Sequence, residues 1–375
     1  MMEQKTRGTS PQKRCYYAHT MPGLEEIAWS EIQQRAAGAA KIASQVIPEK
    51  NGLVLFDYAG PPADLLRLRT TEDIFFLVER LRIARGYQGL EQIHQALLTS
   101  RALEEGLALH KALHHREGKR RLRFRVISRL AGQGHPYRRL ELGQTVAKAL
   151  SQRSGSRWQA VEEGEDFEVW VNLIGLDCIC GLRLSDATMR HRDYKAAHIA
   201  ASLRPSVAAA MVWLTEPQAT DIFLDPFCGA GTLLIERGSC ARHKLLVGGD
   251  LDPAALRAAA ENIGPRHKPC HLLRWDARYL PLAEHSVDVI ATNPPFGKKI
   301  GSHEENVSLY RRFLAEAERV LAPQGRLALV TGEVTLMDEL LRESRAWRVA
   351  RSYAITLLGE RAKIYLLKRR LTGQG

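Results

Sequence analysis

The sequence predicts an α/β protein whose C-terminal half is a doubly wound parallel sheet, preceded by two smaller α+β units. Three observations carry that expectation. Residues 205–375 alternate apolar strands with helices at short intervals, the pattern of a parallel sheet covered on both faces. Residues 14–85 run strand, helix, strand, strand, helix, strand, a split βαβ arrangement. The chain has 375 residues, more than the roughly 100 to 200 of one ordinary domain.

Each element has its own cue. Residues 1–13, within "MMEQKTRGTSPQKR", are polar and lack the apolar core of a secretory signal, so they read as a loose tail on a cytoplasmic protein. The first unit, 14–85, opens with the strand "CYYAHT". After Pro22-Gly23, residues Leu24, Ile27, Ala28 and Ile32 fall at helical spacing. "KIASQVI" and "GLVLFDY" pair as strands, "PPADLLRLR" opens a helix with prolines in its first turn, and "DIFFLVERLRI" closes the unit. The second unit, 86–185, holds a helical stretch from Glu91 to about His115, a basic strand, a helix near "LELGQTVAKALSQ" and the strands "DFEVWVNLI" and "DCICGLRL". Its polar, turn-rich "QRSGSRWQAVEEGED" reads as an exposed connection. A connecting segment, 186–204, leads to the alternating region. There "DIFLD", "KLLVGGD", "HLLRW", "SVDVIAT" and "GRLALVT" are strands, with helices near "GTLLIERGSC", "DPAALRAAAENI" and "NVSLYRRFLAEAERVL".

Composition excludes several classes. With 45% hydrophobic and 26% charged residues the chain is globular, and no apolar run approaches the ~20 residues of a membrane span. Its six cysteines are too scattered for a zinc pattern, and no metal is expected. Cys178 and Cys180, two apart on a strand, share one face and read as core packing. The net charge of +12 calls for a polyanionic partner. Residues 101–150 hold twelve Lys and Arg against four Glu. Within them "RLRFRV" alternates at strand period, so Arg121, Arg123 and Arg125 would share one face, a strip suited to a phosphate backbone. A solvated face is the bland alternative.

In open parallel sheets ligands bind outside the carboxyl ends of the strands, where the order reverses. Asp225, Asp250, Asp276 and Asn293 occupy such ends. "DIFLDPFCGAGTLLIE" puts Cys228, Gly229 and Gly231 in the turn after Asp225, and Thr232 at a helix start. A dinucleotide dehydrogenase is the first competitor. Against it, Leu234 stands at the third glycine position, and Asp225 sets a negative charge where a pyrophosphate would lie. A cationic amino-acid moiety fits better. Asp250, roughly 20 residues beyond the loop, suits a ribose. Leu251 would cover an adenine face, Asp276 would accept from the adenine amine, and Ala277 would supply backbone. A nucleoside with a cationic tail describes S-adenosyl-L-methionine.

"ATNPPFGKKIG" follows the fourth strand. The Asn293 amide oxygen and the Pro294 carbonyl offer two acceptors for the hydrogens of a planar exocyclic amine, aiming its lone pair at a methyl donor. Phe296 would stack on a flipped base. Lys298 and Lys299 read as phosphate contacts beside the site, or as an ordinary solvated loop.

"DPFCGAGT" and "NPPF" together resemble the class I S-adenosylmethionine-dependent methyltransferases that act on amino groups. "HTMPGLEEIAWSEI", "LRTTEDIFFLV" and "YRRLELGQTVAKAL" are similar to the N-terminal ferredoxin-like and THUMP domains of RNA-modifying enzymes. The likeness is strong over 190–370 and looser before. It implies a Rossmann-like methyltransferase domain at 205–375, a ferredoxin-like domain at 14–85 and a THUMP RNA-binding domain at 86–185. The nearest likeness is to tRNA guanine-N2 methyltransferases acting at position 6 of the acceptor stem. That family implies cofactor contacts from "HIAASLRPSV", here His198 and Leu203, and tRNA docking on the THUMP unit. Arg138 and Arg139 then join Arg121, Arg123 and Arg125 as expected RNA contacts. Asn293 matches the position 6 enzymes, whereas relatives acting at position 10 more often carry Asp. Phe296 departs from the Tyr or His of many relatives, which leaves base choice open.

The expected function is transfer of a methyl group from S-adenosyl-L-methionine to the N2 amine of a tRNA guanosine. "NPPF" does not separate this from ribosomal guanine-N2, DNA adenine-N6 or protein glutamine methylation. A non-catalytic RNA-binding module with a vestigial methyltransferase fold is a further alternative.

Overall fold

The protein is described here by a computed structural model covering residues 13–48, 50–115, 121–132, 134–194, 202–296, 303–357 and 359–370, of which His303 and Glu304 are described by backbone alone. It divides into two compact units, one of residues 1–20 and 29–189, the other of residues 21–28 and 190–375.

The first unit contains β1 (Arg14–Thr20), α1 (Glu25–Arg35, its first turn assigned to the second unit), β2 (Ala40–Ile47), β3 (Asn51–Tyr58), α2 (Pro62–Leu65), β4 (Asp73–Arg82), α3 (Tyr87–Thr99), α4 (Ala102–Leu113), β5 (Leu122–Ala131), α5 (Arg139–Ser154), β6 (Trp158–Ala160), β7 (Phe167–Ile174) and β8 (Asp177–Arg183). The strands form one eight-stranded sheet in the order β2-β3-β1-β4-β8-β7-β5-β6. Its pairings are antiparallel except where β5 meets β6 and β7. Residues 14–85 and 86–185 therefore share a sheet, through β4 and β8, and a core in which Tyr16, Phe76, Ile93, Phe124 and Val146 are buried together.

The single helix expected from Glu91 to His115 is two helices. They part at Ser100, whose hydroxyl donates to the Val78 carbonyl at 3.4 Å. The expected exposed connection contains β6, because Trp158 packs its indole edge-on against the stacked rings of Phe124 and Phe167. Cys178 and Cys180 are buried in the core, and burial pushes the Cys178 thiol up to about 12.

The second unit follows α6 (Thr188–His191) with α7 (Pro205–Leu214), β9 (Ile222–Asp225), α8 (Thr232–Cys240), β10 (Leu245–Asp250), α9 (Pro253–Ile263), β11 (Cys270–Arg274), β12 (Val287–Thr292), α10 (His303–Val320), β13 (Leu321–Thr331), α11 (Val334–Glu343), β14 (Trp347–Leu357) and β15 (Glu360–Arg369). The strand order is β11-β10-β9-β12-β13-β15-β14, parallel through β13 and closed by the antiparallel β15 and β14. Helices cover both faces: α7, α8 and α9 share one core, and α10 and α11 share the other. This is the Rossmann-like sheet that the alternation predicts. β9 has β10 on one side and β12 on the other, so the order reverses there, and the carboxyl ends of these strands are where open parallel sheets bind ligands.

Candidate active site

The loop after β9 is tight because Gly229 (φ +50) and Gly231 (φ +80) take left-handed conformations that a side chain would strain. Its carbonyls are latched from outside: the Trp275 indole donates to Pro226 at 3.2 Å and the Asn262 amide to Ala230 at 3.1 Å. The indole fits because Gly249 carries no Cβ, which would stand 1.8 Å from the ring. The Gly229 N–H donates to Asp250 Oδ2 at 2.9 Å, so the expected ribose acid also holds the glycine loop.

Asp225 is buried. Its Oδ1 accepts from the Thr292 hydroxyl at 2.8 Å and the Phe227 N–H at 3.3 Å. Loss of water dominates: burial lifts its carboxyl to about 7, with Asp250 adding repulsion and the two hydrogen bonds opposing. Cys228 is buried as well, and its thiol is pushed up mainly by that burial. Thr232 opens α8 with its hydroxyl 3.4 Å from that of Ser202.

Asp250 Oδ1 accepts the Asp252 N–H at 3.0 Å, while Asp252 caps α9 through the Ala254 N–H at 2.8 Å. Leu251 stands 60% exposed beside it, an apolar side chain left open at a strand end. Asp276 is occupied. Arg278 donates its backbone N–H and its Nε to Oδ1 at 3.0 Å each, and Nε and Nη2 to Oδ2 at 3.0 and 2.6 Å. This hydrogen-bonded arginine holds the Asp276 carboxyl below its ordinary value. Ala277 is buried beside it.

The turn after β12 has a different character. Asn293 Oδ1 is buried with no hydrogen-bond partner, an uncommon condition for a carbonyl oxygen away from water. Pro294 is buried and Phe296 half-buried. The Phe296 ring lies against Gly332, where a Cβ would come within 2.7 Å of it.

Other expected residues lie elsewhere. Leu203 is buried in the core that α7, α8 and α9 share. His198, Lys298 and Lys299 fall outside the described residues. On β5, Arg123 is exposed, as is Arg121 just before the strand. Arg125 differs from the expected phosphate contact: β7 runs parallel to β5 with Glu168 opposite Arg125, and the guanidinium pairs with Glu168 and with Glu165 at 3.1 Å. Arg138 and Arg139 are exposed at the start of α5, where the Arg138 N–H donates to Glu141 at 2.8 Å. Among the described residues no group of three or more His, Cys, Asp or Glu is placed to hold a metal ion. No described helix is long and apolar enough to cross a membrane.

The chain is 30% identical over 336 residues to the tRNA (guanine(6)-N2)-methyltransferase of Thermus thermophilus, covering 89% of this chain and 94% of that one. It belongs to the THUMP3/TrmN-like methyltransferase family. The family model for UPF0020, the RMKL-like methyltransferase domain, matches residues 192–363. The crystal structure of TrmN from Thermus thermophilus superposes with a TM-score of 0.77 at 27% identity, over 96% of this chain and all of that one. A bovine tRNA (guanine(6)-N(2))-methyltransferase THUMP3 is 32% identical over 264 residues, 66% of this chain and 51% of the relative. The chain thus spans about half the length of that relative.

Four residues that the sequence did not single out stand beside the expected ones: Thr292 on Asp225, Arg278 on Asp276, Gly332 against Phe296, and Thr331 next to Gly332. Thr331 and Gly332 follow the same rule as the acids, because they stand at the carboxyl end of the next parallel strand, β13. That position was the available signal. Thr292, one residue before Asn293, reads from sequence as one more β-branched strand residue.

Proposed function

We propose that the protein transfers a methyl group from S-adenosyl-L-methionine to the exocyclic N2 amine of a guanosine in tRNA, at position 6 of the acceptor stem. The observation that carries this reading is Asn293 Oδ1, buried, unpaired and held between two strand ends at the switch point. An amine hydrogen satisfies it. The relatives from Thermus thermophilus and Bos taurus, both named as guanine(6)-N2 enzymes, support tRNA and position 6.

The residues present fit the cofactor. Asp225, Cys228, Gly229, Gly231 and Thr232 would hold its methionine portion, Asp250 its ribose, and Leu251, Asp276 and Ala277 its adenine. The open apolar face of Leu251 is what an adenine ring would cover. When bound, the cofactor supplies an electrophilic methyl group on a sulfonium. Asn293 Oδ1 and the Pro294 carbonyl accept the two amine hydrogens, which fixes the amine plane and points the nitrogen lone pair. No strong base is required before attack, so positioning supplies much of the rate. Phe296, backed by Gly332, offers a ring face to the base. Arg121, Arg123, Arg138 and Arg139, with Lys298 and Lys299, would take RNA phosphates.

The test is to incubate purified protein with methyl-labelled cofactor and either unmodified total tRNA or ribosomal RNA, then identify the labelled nucleoside and its position in the RNA. The expected product is N2-methylguanosine at position 6. Label confined to ribosomal RNA, or carried as N6-methyladenosine, sinks the proposal.

A further inference from the structure

The turn that presents Asn293 is poor in backbone donors. Pro294 and Pro295 have no N–H, so half of the four residues from Asn293 to Phe296 offer no backbone donor. What fixes the turn is a buried relay from the end of β13. The Glu333 N–H donates to Thr331 Oγ1 at 3.0 Å. Thr331 Oγ1 and the Tyr310 hydroxyl lie 2.7 Å apart, and Tyr310 donates to the Pro295 carbonyl at 2.9 Å. Only one proton arrangement satisfies all three contacts: Tyr310 spends its hydrogen on Pro295, so Thr331 must donate to Tyr310. Each hydroxyl then gives one hydrogen bond and takes one. Tyr310 and Thr331 are both buried, so no water substitutes for either.

The same helix also braces the other half of the site. Phe313, one turn beyond Tyr310 on α10, meets Phe227 of the glycine loop edge-on at 5.3 Å between ring centroids. One buried stripe of α10 therefore touches both the loop expected at the methyl donor and the turn expected at the methyl acceptor.

We propose that Tyr310 is a positioning residue: through Pro295 it fixes the distance between the amine-holding turn and the glycine loop, with Thr331 setting the direction of its hydrogen bond. This rests on the function proposed above. Tyr310 touches neither reactant, and it acts by keeping the Asn293 and Pro294 acceptors in place.

The test compares Tyr310→Phe, Thr331→Val and the double variant with the wild type, well below their melting temperatures. The turnover number should fall about 10- to 100-fold in each single variant, as for small misplacements of reacting groups. The cofactor Kd should stay within about twofold, and the double variant should be no slower than the slower single one, because the two hydroxyls form one relay. Amide hydrogen exchange is followed in parallel for the peptide containing Phe296, and it should quicken relative to a β12 peptide. Wild-type-like turnover in folded variants, multiplied losses in the double variant, or unchanged exchange overturns the proposal. If the wild type makes no N2-methylguanosine, the function above fails. The exchange measurement still decides whether Tyr310 holds the turn.

Discussion

The Thr292 hydroxyl donates to Asp225 Oδ1 at 2.8 Å, tying the strand that ends in the Asn293 turn to the strand that ends in the glycine loop. This bond does not offset burial, and Asp225 still titrates at about 7. A folded value raised above the ordinary carboxylate range means that the folded protein holds this proton more tightly than the unfolded chain. The contribution to stability is complete below about pH 4 and is lost as pH rises through about 7. A cationic ligand beside Asp225 reverses the preference and expels the proton. Melting temperature of the ligand-free protein should therefore fall between pH 5 and 8 relative to Asp225→Asn. Calorimetry in buffers of different ionisation enthalpy should show proton release on cofactor binding at pH 6 that fades by pH 8.

Both oxygens of Asp276 already accept from Arg278, so on the proposed reading the adenine amine competes with the arginine for them. Removing the side chain frees acceptor positions. Arg278→Ala should tighten cofactor binding a few-fold at low salt, with less effect at high salt because the pair is exposed. Asp276→Ala should weaken it. A titration in which both variants weaken binding would show that Arg278 serves the cofactor directly.

The three arginines of the segment 121–125 should separate by experiment. Arg121 and Arg123 are exposed, and replacing either by Ala should flatten the salt dependence of RNA binding by about 0.7 to 0.9 in slope for each phosphate that the protein no longer neutralises. Arg125 is committed to Glu165 and Glu168, and Glu168 is buried. Arg125→Ala should leave that slope nearly unchanged and lower stability by about 1 to 2 kcal/mol in a denaturant melt.

Gly332 has no left-handed backbone to protect, so its requirement is space. An alanine Cβ there would meet Phe296 Cδ2 at 2.7 Å and push the ring off its seat. Gly332→Ala should raise the KM for tRNA several-fold while the melting temperature changes little, which steady-state kinetics and a thermal melt resolve together.

The parallel sheet and its four strand-end residues were legible because they depend on local order: an apolar run, a turn, a helix, repeated. The relationships that set their chemistry were not. Glu168 meets Arg125 only because β5 and β7 run side by side, 43 positions apart in sequence. Tyr310 sits in an apolar stripe with Phe313, Leu314 and Ala317 and reads as core, which it also is. Nothing local marks its hydroxyl as the group that reaches Pro295. The break at Ser100 and the short strand β6 were missed for the same reason, since each is fixed by a partner distant in sequence.

On the proposed reading, Asn293 selects and orients the amine. The direct measurement pairs Asn293→Ala with the wild type, recording both cofactor Kd by calorimetry and N2-methylguanosine formed on unmodified tRNA by mass spectrometry. Cofactor affinity should stay within about twofold while product formation falls by at least about a hundredfold, the scale expected when a reacting group is no longer positioned. Normal turnover in the variant, with the methyl group still on guanosine N2, would contradict it.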